Sequence, residues 1–329
     1  MVSKTMKTSH PKLMASAIIL SLFLIETVYA ELVFKYESDS ISSISGPSAY
    51  AFDGEFTFTD CGKIGREGPS ESQCLSAYSE AEWVPKENNF SVDAGIQRWK
   101  VPESGAYRFE IGGSRGGSPS LFNGYATGAL VKGTLILEKG DVLKILVGQL
   151  PQSGIGRSLG NGGAGGGGTF VSTSDDKPLF VAGGAGGLAN YGNTINYPKL
   201  NGTGTNQGKN YISEGRKGDG GGGGSYSASL SQPNHGDDFL SGGEGGDGLD
   251  TNGGFGGGGG SSTNQFGAGG GGYSGGDETK RYGEPHYGNQ GGGGSFVTSE
   301  ATDSQKVRAG NSNSDERGFV KITIIDSGS

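Results

Sequence analysis

Tyr107, Phe109 and Ile111 alternate with Arg108 and Glu110, so an extended segment here carries one apolar and one charged face. That period of two predicts a half-buried strand. The same reading places strands at Phe56–Thr59 and at Ile96–Val101, the latter stopped by Pro102 and the Glu103-Ser104-Gly105 turn. The strongest apolar signal is Leu130–Leu137 followed by Val142–Val147, two arms rich in branched residues. The four residues Glu138–Asp141 between them predict a hairpin. Thr169–Ser172, Leu179–Ala182 and Ser295–Thr298 are shorter strands, and Phe319–Ile325 closes the series with Val320, Ile322 and Ile324 on one face. One helix is expected between Cys61 and Trp83. Pro69-Ser70 opens it, Gln73 completes a capping box, and Cys74, Leu75 and Tyr78 share a face. Many strands with almost no helix predict an all-β chain, a β-sandwich or jelly roll.

Composition changes that picture in one region. The chain has 69 glycines in 329 residues, and 50 of them fall between 154 and 294. They come in runs (Gly165–Gly168, Gly220–Gly224, Gly256–Gly260, Gly269–Gly272, Gly291–Gly294) and keep no collagen period. Such a run buries no apolar area of its own, so a flexible linker is one reading. Extended, left-handed, three-residue-per-turn segments that hydrogen-bond laterally are the other. Order is favoured because the runs recur between Phe170, Tyr226, Phe255, Phe266, Tyr273 and Phe296, and because strands resume after them.

The first thirty residues read as a secretion signal. Lys4, Lys7 and Lys12 precede an apolar run from Leu13 to Ile25, and Val28-Tyr29-Ala30 supplies small residues before a cleavage point at Glu31. That run is shorter than the roughly 20 residues a membrane helix needs. The expected location is therefore secreted or extracellular, or the outer side of the plasma membrane within a longer receptor, with no membrane span in this chain. Residues 31–49 read as a linker and 50–326 as one domain: a sandwich over about 50–153 and 295–326, and a glycine-rich extension over about 154–294. Without residues 1–30 the chain has 23 basic and 33 acidic residues, a balance that disfavours nucleic acid and favours a basic partner. Cys61 and Cys74 suit one short-loop disulfide in an oxidising compartment. Asn89-Phe90-Ser91 and Asn201-Gly202-Thr203 are glycosylation sequons, which places Asn89 and Asn201 at the surface.

Chemical motifs are weak. A Gly-x-Gly-x-x-Gly match at Gly163 arises by chance at this glycine density and joins no strand to a helix. Gly-x-Ser-x-Gly surrounds Ser114 and Ser274, but glycine follows where a nucleophile elbow needs a helix. Residues 242–250 match one calcium-binding nonapeptide, an architecture that needs tandem copies, and none follows. With no kinase or hydrolase signature, no enzyme activity, no metal and no cofactor are expected.

The residues do carry a family resemblance. Phe58-Thr59-Asp60-Cys61-Gly62 with Cys74, Gly95-Ile96-Gln97-Arg98-Trp99-Lys100-Val101-Pro102, Leu137–Asp141, Ile145–Gln149, Gly253-Gly254-Phe255, and Gly269–Gly272 with Tyr273-Ser274-Gly275-Gly276 form the pattern. It resembles the glycine-rich extracellular region of the anaplastic lymphoma kinase and leukocyte tyrosine kinase receptors, from about Phe56 to Ile324. The resemblance implies a tumour-necrosis-factor-like sandwich with an inserted polyglycine-helix extension. It implies a basic, cytokine-like protein ligand whose binding brings two copies together as a homo-dimer. It also implies ligand contacts at Tyr273 and in the acidic stretch holding Asp277, Glu278 and Glu284. The family's further cysteines in the extension and its growth-factor-like module are absent from this sequence. A free-standing secreted relative and a portion of a receptor tyrosine kinase both remain open, beside a structural glycine-rich matrix protein that self-associates.

Overall fold

A computed structural model describes residues 54–85, 88–118, 125–152, 162–188, 201–203, 223–227, 234–249, 251–261, 267–276, 291–307 and 316–325. Eleven strands are defined among them: β1 (Glu55–Phe58), β2 (Phe90–Asp93), β3 (Ile96–Lys100), β4 (Gly105–Gly112), β5 (Leu130–Leu137), β6 (Val142–Leu146), β7 (Thr169–Thr173), β8 (Pro178–Ala182), β9 (Phe296–Val297), β10 (Thr302–Val307) and β11 (Phe319–Ile325). They form two antiparallel sheets, ordered β1-β11-β4-β5-β10 and β2-β3-β6-β7-β8-β9. The expectation of an all-β sandwich stands in that form.

The sandwich core follows from the period-two pattern. Tyr107, Phe109 and Ile111 are fully buried, and they pair in register with Ile324, Ile322 and Val320 of β11. Across the core, Phe109 stacks on Phe180 of β8 at 4.9 Å, and Trp99 of β3 meets Tyr107 edge-on at 5.7 Å. Burying each large side chain of this kind stabilises by about 1.5–3 kcal/mol. Helix α1 (Glu71–Ala77) forms where the capping box predicts it: Ser70 caps the Gln73 N–H, and the Gln73 side chain accepts from the Ser70 N–H. It buries Cys74, and Tyr78 follows at its C-terminal cap. Leu75, expected on the same face, is exposed, because the helix is only seven residues long and offers the core one narrow stripe.

The predicted β5–β6 hairpin is corrected. β5 lies between β4 and β10 in the first sheet, whereas β6 lies between β3 and β7 in the second. The Glu138–Asp141 turn is therefore a corner from sheet to sheet. Asp141 N–H closes the turn on Glu138 O at 3.1 Å, and the turn bonds outward to a third segment: Val101 N–H donates to Asp141 O at 2.8 Å and Gly140 N–H to Val101 O at 2.9 Å. Each arm buries alternate residues, Val131, Leu135 and Leu137 on one side and Leu143 and Ile145 on the other, in the one shared core. β2 and β10 lie outside the predicted set; β10 (TDSQKV) is a polar edge strand with a register shift and a left-handed Asp303.

The second sheet is covered on its other face too. Leu146, Phe170 and Val181 point away from the sandwich core and bury themselves with Tyr226, Phe239 and Phe255 from the glycine-rich part. Beyond those rings, glycine segments pack backbone against backbone. Gly163 and Gly166 donate to Leu188 O and Ala185 O, while Gly165 and Gly168 donate to Gly259 O and Gly256 O. Ser114 and Gly117 donate to Gly167 O and Ala164 O, and Gly184 and Gly187 to Gly271 O and Ala268 O. Each neighbour is thus met at every third residue, where a strand would meet its partners at every second. Peptide groups, most of them of glycine and alanine, satisfy one another in this lattice.

Candidate functional site

Tyr273 follows the Gly269–Gly272 run and ties two segments together. Its N–H donates to Gly294 O at 2.8 Å, and its carbonyl accepts from Tyr226 N–H at 3.2 Å. Its ring stacks on Phe296 at 4.5 Å and lies 6.1 Å from Tyr226, which stacks on Phe239, which in turn stacks on Phe170 of β7. This five-ring ladder anchors the glycine lattice to the second sheet. Burial pushes the Tyr226 hydroxyl up to about 12, and that hydroxyl donates to Asp176 O at 2.9 Å. Tyr273 itself is half-buried, so part of its ring still faces outward. Asp277, Glu278 and Glu284, its expected partners in ligand contact, lie outside the described residues.

A cleft of about 440 Å³ opens elsewhere on the described surface. One wall is the loop closed by the Cys61–Cys74 disulfide, through Lys63, Glu67, Pro69 and Glu71. A second is the β2–β3 turn with Val92 and Ala94, and a third carries Glu244. Gly68 and Gly95 also line it with Phe255; a Cβ built on Gly68 would stand 2.6 Å from the Phe255 ring and 2.5 Å from Gly95 Cα. Only glycines at both positions let the two loops meet above that ring. Lys63 Nζ donates to Gly68 O at 2.8 Å and lies 3.6 Å from Glu67. Arg66 pairs with Glu244 at 3.3 Å and Asp247 at 3.4 Å and donates from Nε to Gly245 O at 3.1 Å.

The chain is 31% identical over 107 residues to the mouse leukocyte tyrosine kinase receptor. The match is local. It takes in 32% of this chain and 12% of that receptor. No protein-family model matches the chain. A stretch of the sandwich-and-glycine chain is therefore related to a region of that receptor.

The remaining sequence-derived sites fall as follows. Cys61 and Cys74 form the disulfide, packed beside Tyr78, whose hydroxyl donates to Gln97 Oε1 at 2.8 Å and accepts from Thr59 N–H at 2.8 Å. Asn89 is buried at 6% exposure, against the surface placement its sequon implies, and its carbonyl accepts from the Lys100 N–H at 2.9 Å beside β2 and β3. Asn201 is half-buried and its Oδ1 accepts from Thr127 N–H at 2.9 Å. In the 242–250 nonapeptide, Glu244 and Asp247 turn to the Arg66 guanidinium, a cation the chain already supplies. Ser114 is fully buried and its hydroxyl donates to Gln149 O at 2.7 Å, so it serves the lattice. The cleft residues were missed from sequence alone: Glu67 and Glu71 sit near each other in the chain, but no local signal brings Glu244 and Phe255 to them.

Proposed function

We propose that the chain is a non-catalytic extracellular binding module for a protein ligand, of the kind found in the outer region of a receptor tyrosine kinase. The observation that carries this is the local similarity to the leukocyte tyrosine kinase receptor. In the same reading the sandwich is tumour-necrosis-factor-like, and the three-residue hydrogen-bond repeat is that of packed polyglycine helices. The two disulfide-bonded cysteines suit an extracellular location, and residues 1–30 serve as the secretion signal. Without residues 1–30 the chain carries 23 basic against 33 acidic residues, and that acidic balance makes a basic ligand the complementary partner. Tyr273 with Asp277, Glu278 and Glu284 is the proposed contact surface, and ligand binding pairs two copies.

Immobilised full chain, titrated with a panel of small basic secreted proteins, tests this. The expected result is saturable binding to at least one of them, weakened about tenfold or more by Glu278→Lys with Glu284→Lys and by added salt. Tyr273→Phe is the right companion variant, since it keeps the ring ladder that Tyr273→Ala would break. Absence of saturable binding across the panel sinks the module reading, and indifference to the reversals sinks the site.

A further inference from the structure

We propose that the cleft between the disulfide loop and the β2–β3 turn is a docking site for one arginine or lysine side chain presented by a partner protein. This rests on the reading of the chain as a protein-binding module, but it concerns a surface apart from the Tyr273 ladder. The argument starts from shape. The groove is open to solvent, and its volume of about 440 Å³ accommodates one long side chain with its flanking backbone. Val92 and Ala94 provide the accessible apolar lining, against which an aliphatic stem can lie while its charged head stays at the rim; Pro69 and Phe255 are themselves buried.

The rim chooses the sign of that head. Glu67, Glu71 and Glu244 line the cleft against the single cation Lys63. Lys63 is held by Gly68 O and Glu67, and Glu244 shares Arg66 with Asp247. Glu71 makes no ion pair among the described residues. With Glu67 and Glu244 already paired, Glu71 is the carboxylate left for an incoming guanidinium, whereas an anion would meet repulsion from it.

The walls are pre-built. The disulfide closes one, the Ser70–Gln73 capping box fixes its end, and the opposing lip is a tight turn with Ala94 at φ 47° and Gly95 at φ 82°. A non-glycine residue in the left-handed region is costly and persists where its surroundings hold it. Rigid walls lower the ordering cost of docking.

The test uses the full chain and the peptides acetyl-Gly-Arg-Gly-amide and acetyl-Gly-citrulline-Gly-amide, which match in shape and differ in charge. Amide chemical shifts of Glu67, Glu71, Val92 and Ala94 are followed during titration. Expected are saturable shifts with the arginine peptide, at a dissociation constant on the order of millimolar for so small a ligand, and none with citrulline. Glu67→Gln with Glu71→Gln, both exposed and compatible with folding, should weaken binding about fivefold to tenfold. No saturation, equal binding of citrulline, or an unaffected double variant each overturns the proposal. If the panel experiment finds a protein ligand and the double variant binds it unchanged, the cleft proposal falls while the module reading stands. If no protein ligand is found, the peptide titration still decides the cleft.

Discussion

Gly167 sits where a single methyl group decides the outcome. Its Cβ would run into the Phe255 carbonyl and would stand 3.0 Å from Gln149 N, both of them backbone that cannot swing aside. Gly167→Ala should therefore destabilise by more than about 3 kcal/mol in denaturant unfolding. Gly105→Ala is the matched control: its Cβ meets nothing within 4 Å, and its change should stay within about 0.5 kcal/mol. Equal effects at the two positions would mean that the glycines are a matter of composition and the lattice is not what holds them. At this scale the sequence was partly legible. The aromatics spaced through the glycine runs were visible as markers of order, and Phe170, Tyr226, Phe255, Tyr273 and Phe296 do share one cluster, while Phe266 lies outside the described residues. Phe239, also in that cluster, carried no such mark, since it follows a His-Gly-Asp-Asp stretch rather than a run.

Among the elements, the β2–β3 turn invites a stabilising change. Ala94 and Gly95 both have positive φ, the geometry of a two-residue hairpin turn in which Asn-Gly is the preferred pair. Ala94→Asn should raise stability by about 0.5–1 kcal/mol, read as a higher denaturant midpoint at unchanged slope. A lower midpoint would show that the alanine side chain is needed at the cleft lip. The elements also show where sequence patterns stop being informative. Alternation located β4 and β11, and the capping box located α1. The β5–β6 corner was misread because two branched arms joined by four residues look the same whether they pair with each other or face each other across a core. What separates the cases is the Val101 backbone, nearly forty residues upstream, and no local pattern contains it. β10 escaped because an edge strand with exposed Thr302, Asp303 and Gln305 shows no apolar face.

For the molecule as a whole, alkaline pH is the informative variable. Burial pushes the Tyr78 and Tyr226 hydroxyls up to about 12, and it moves Tyr107 the same way. In the unfolded chain these groups ionise near 10. Between 10 and 12 the unfolded chain releases protons that the folded chain retains, so stability is full below about pH 10 and falls as pH rises toward 12. For Tyr78 the loss approaches about 3 kcal/mol. Tyr78→Phe should blunt that decline in denaturant midpoint measured from pH 9 to 11.5; an identical decline in the variant would assign the effect to other groups.

The three-residue hydrogen-bond repeat also sets a rule for how the glycine-rich part can change length. A chain element that meets the same neighbour at every third position returns to the same orientation after three residues are added or removed. One or two residues would rotate every later peptide group toward the wrong neighbour. The reading of this region is thus counted in triplets, and length variation within the lattice segments should be tolerated only in steps of three.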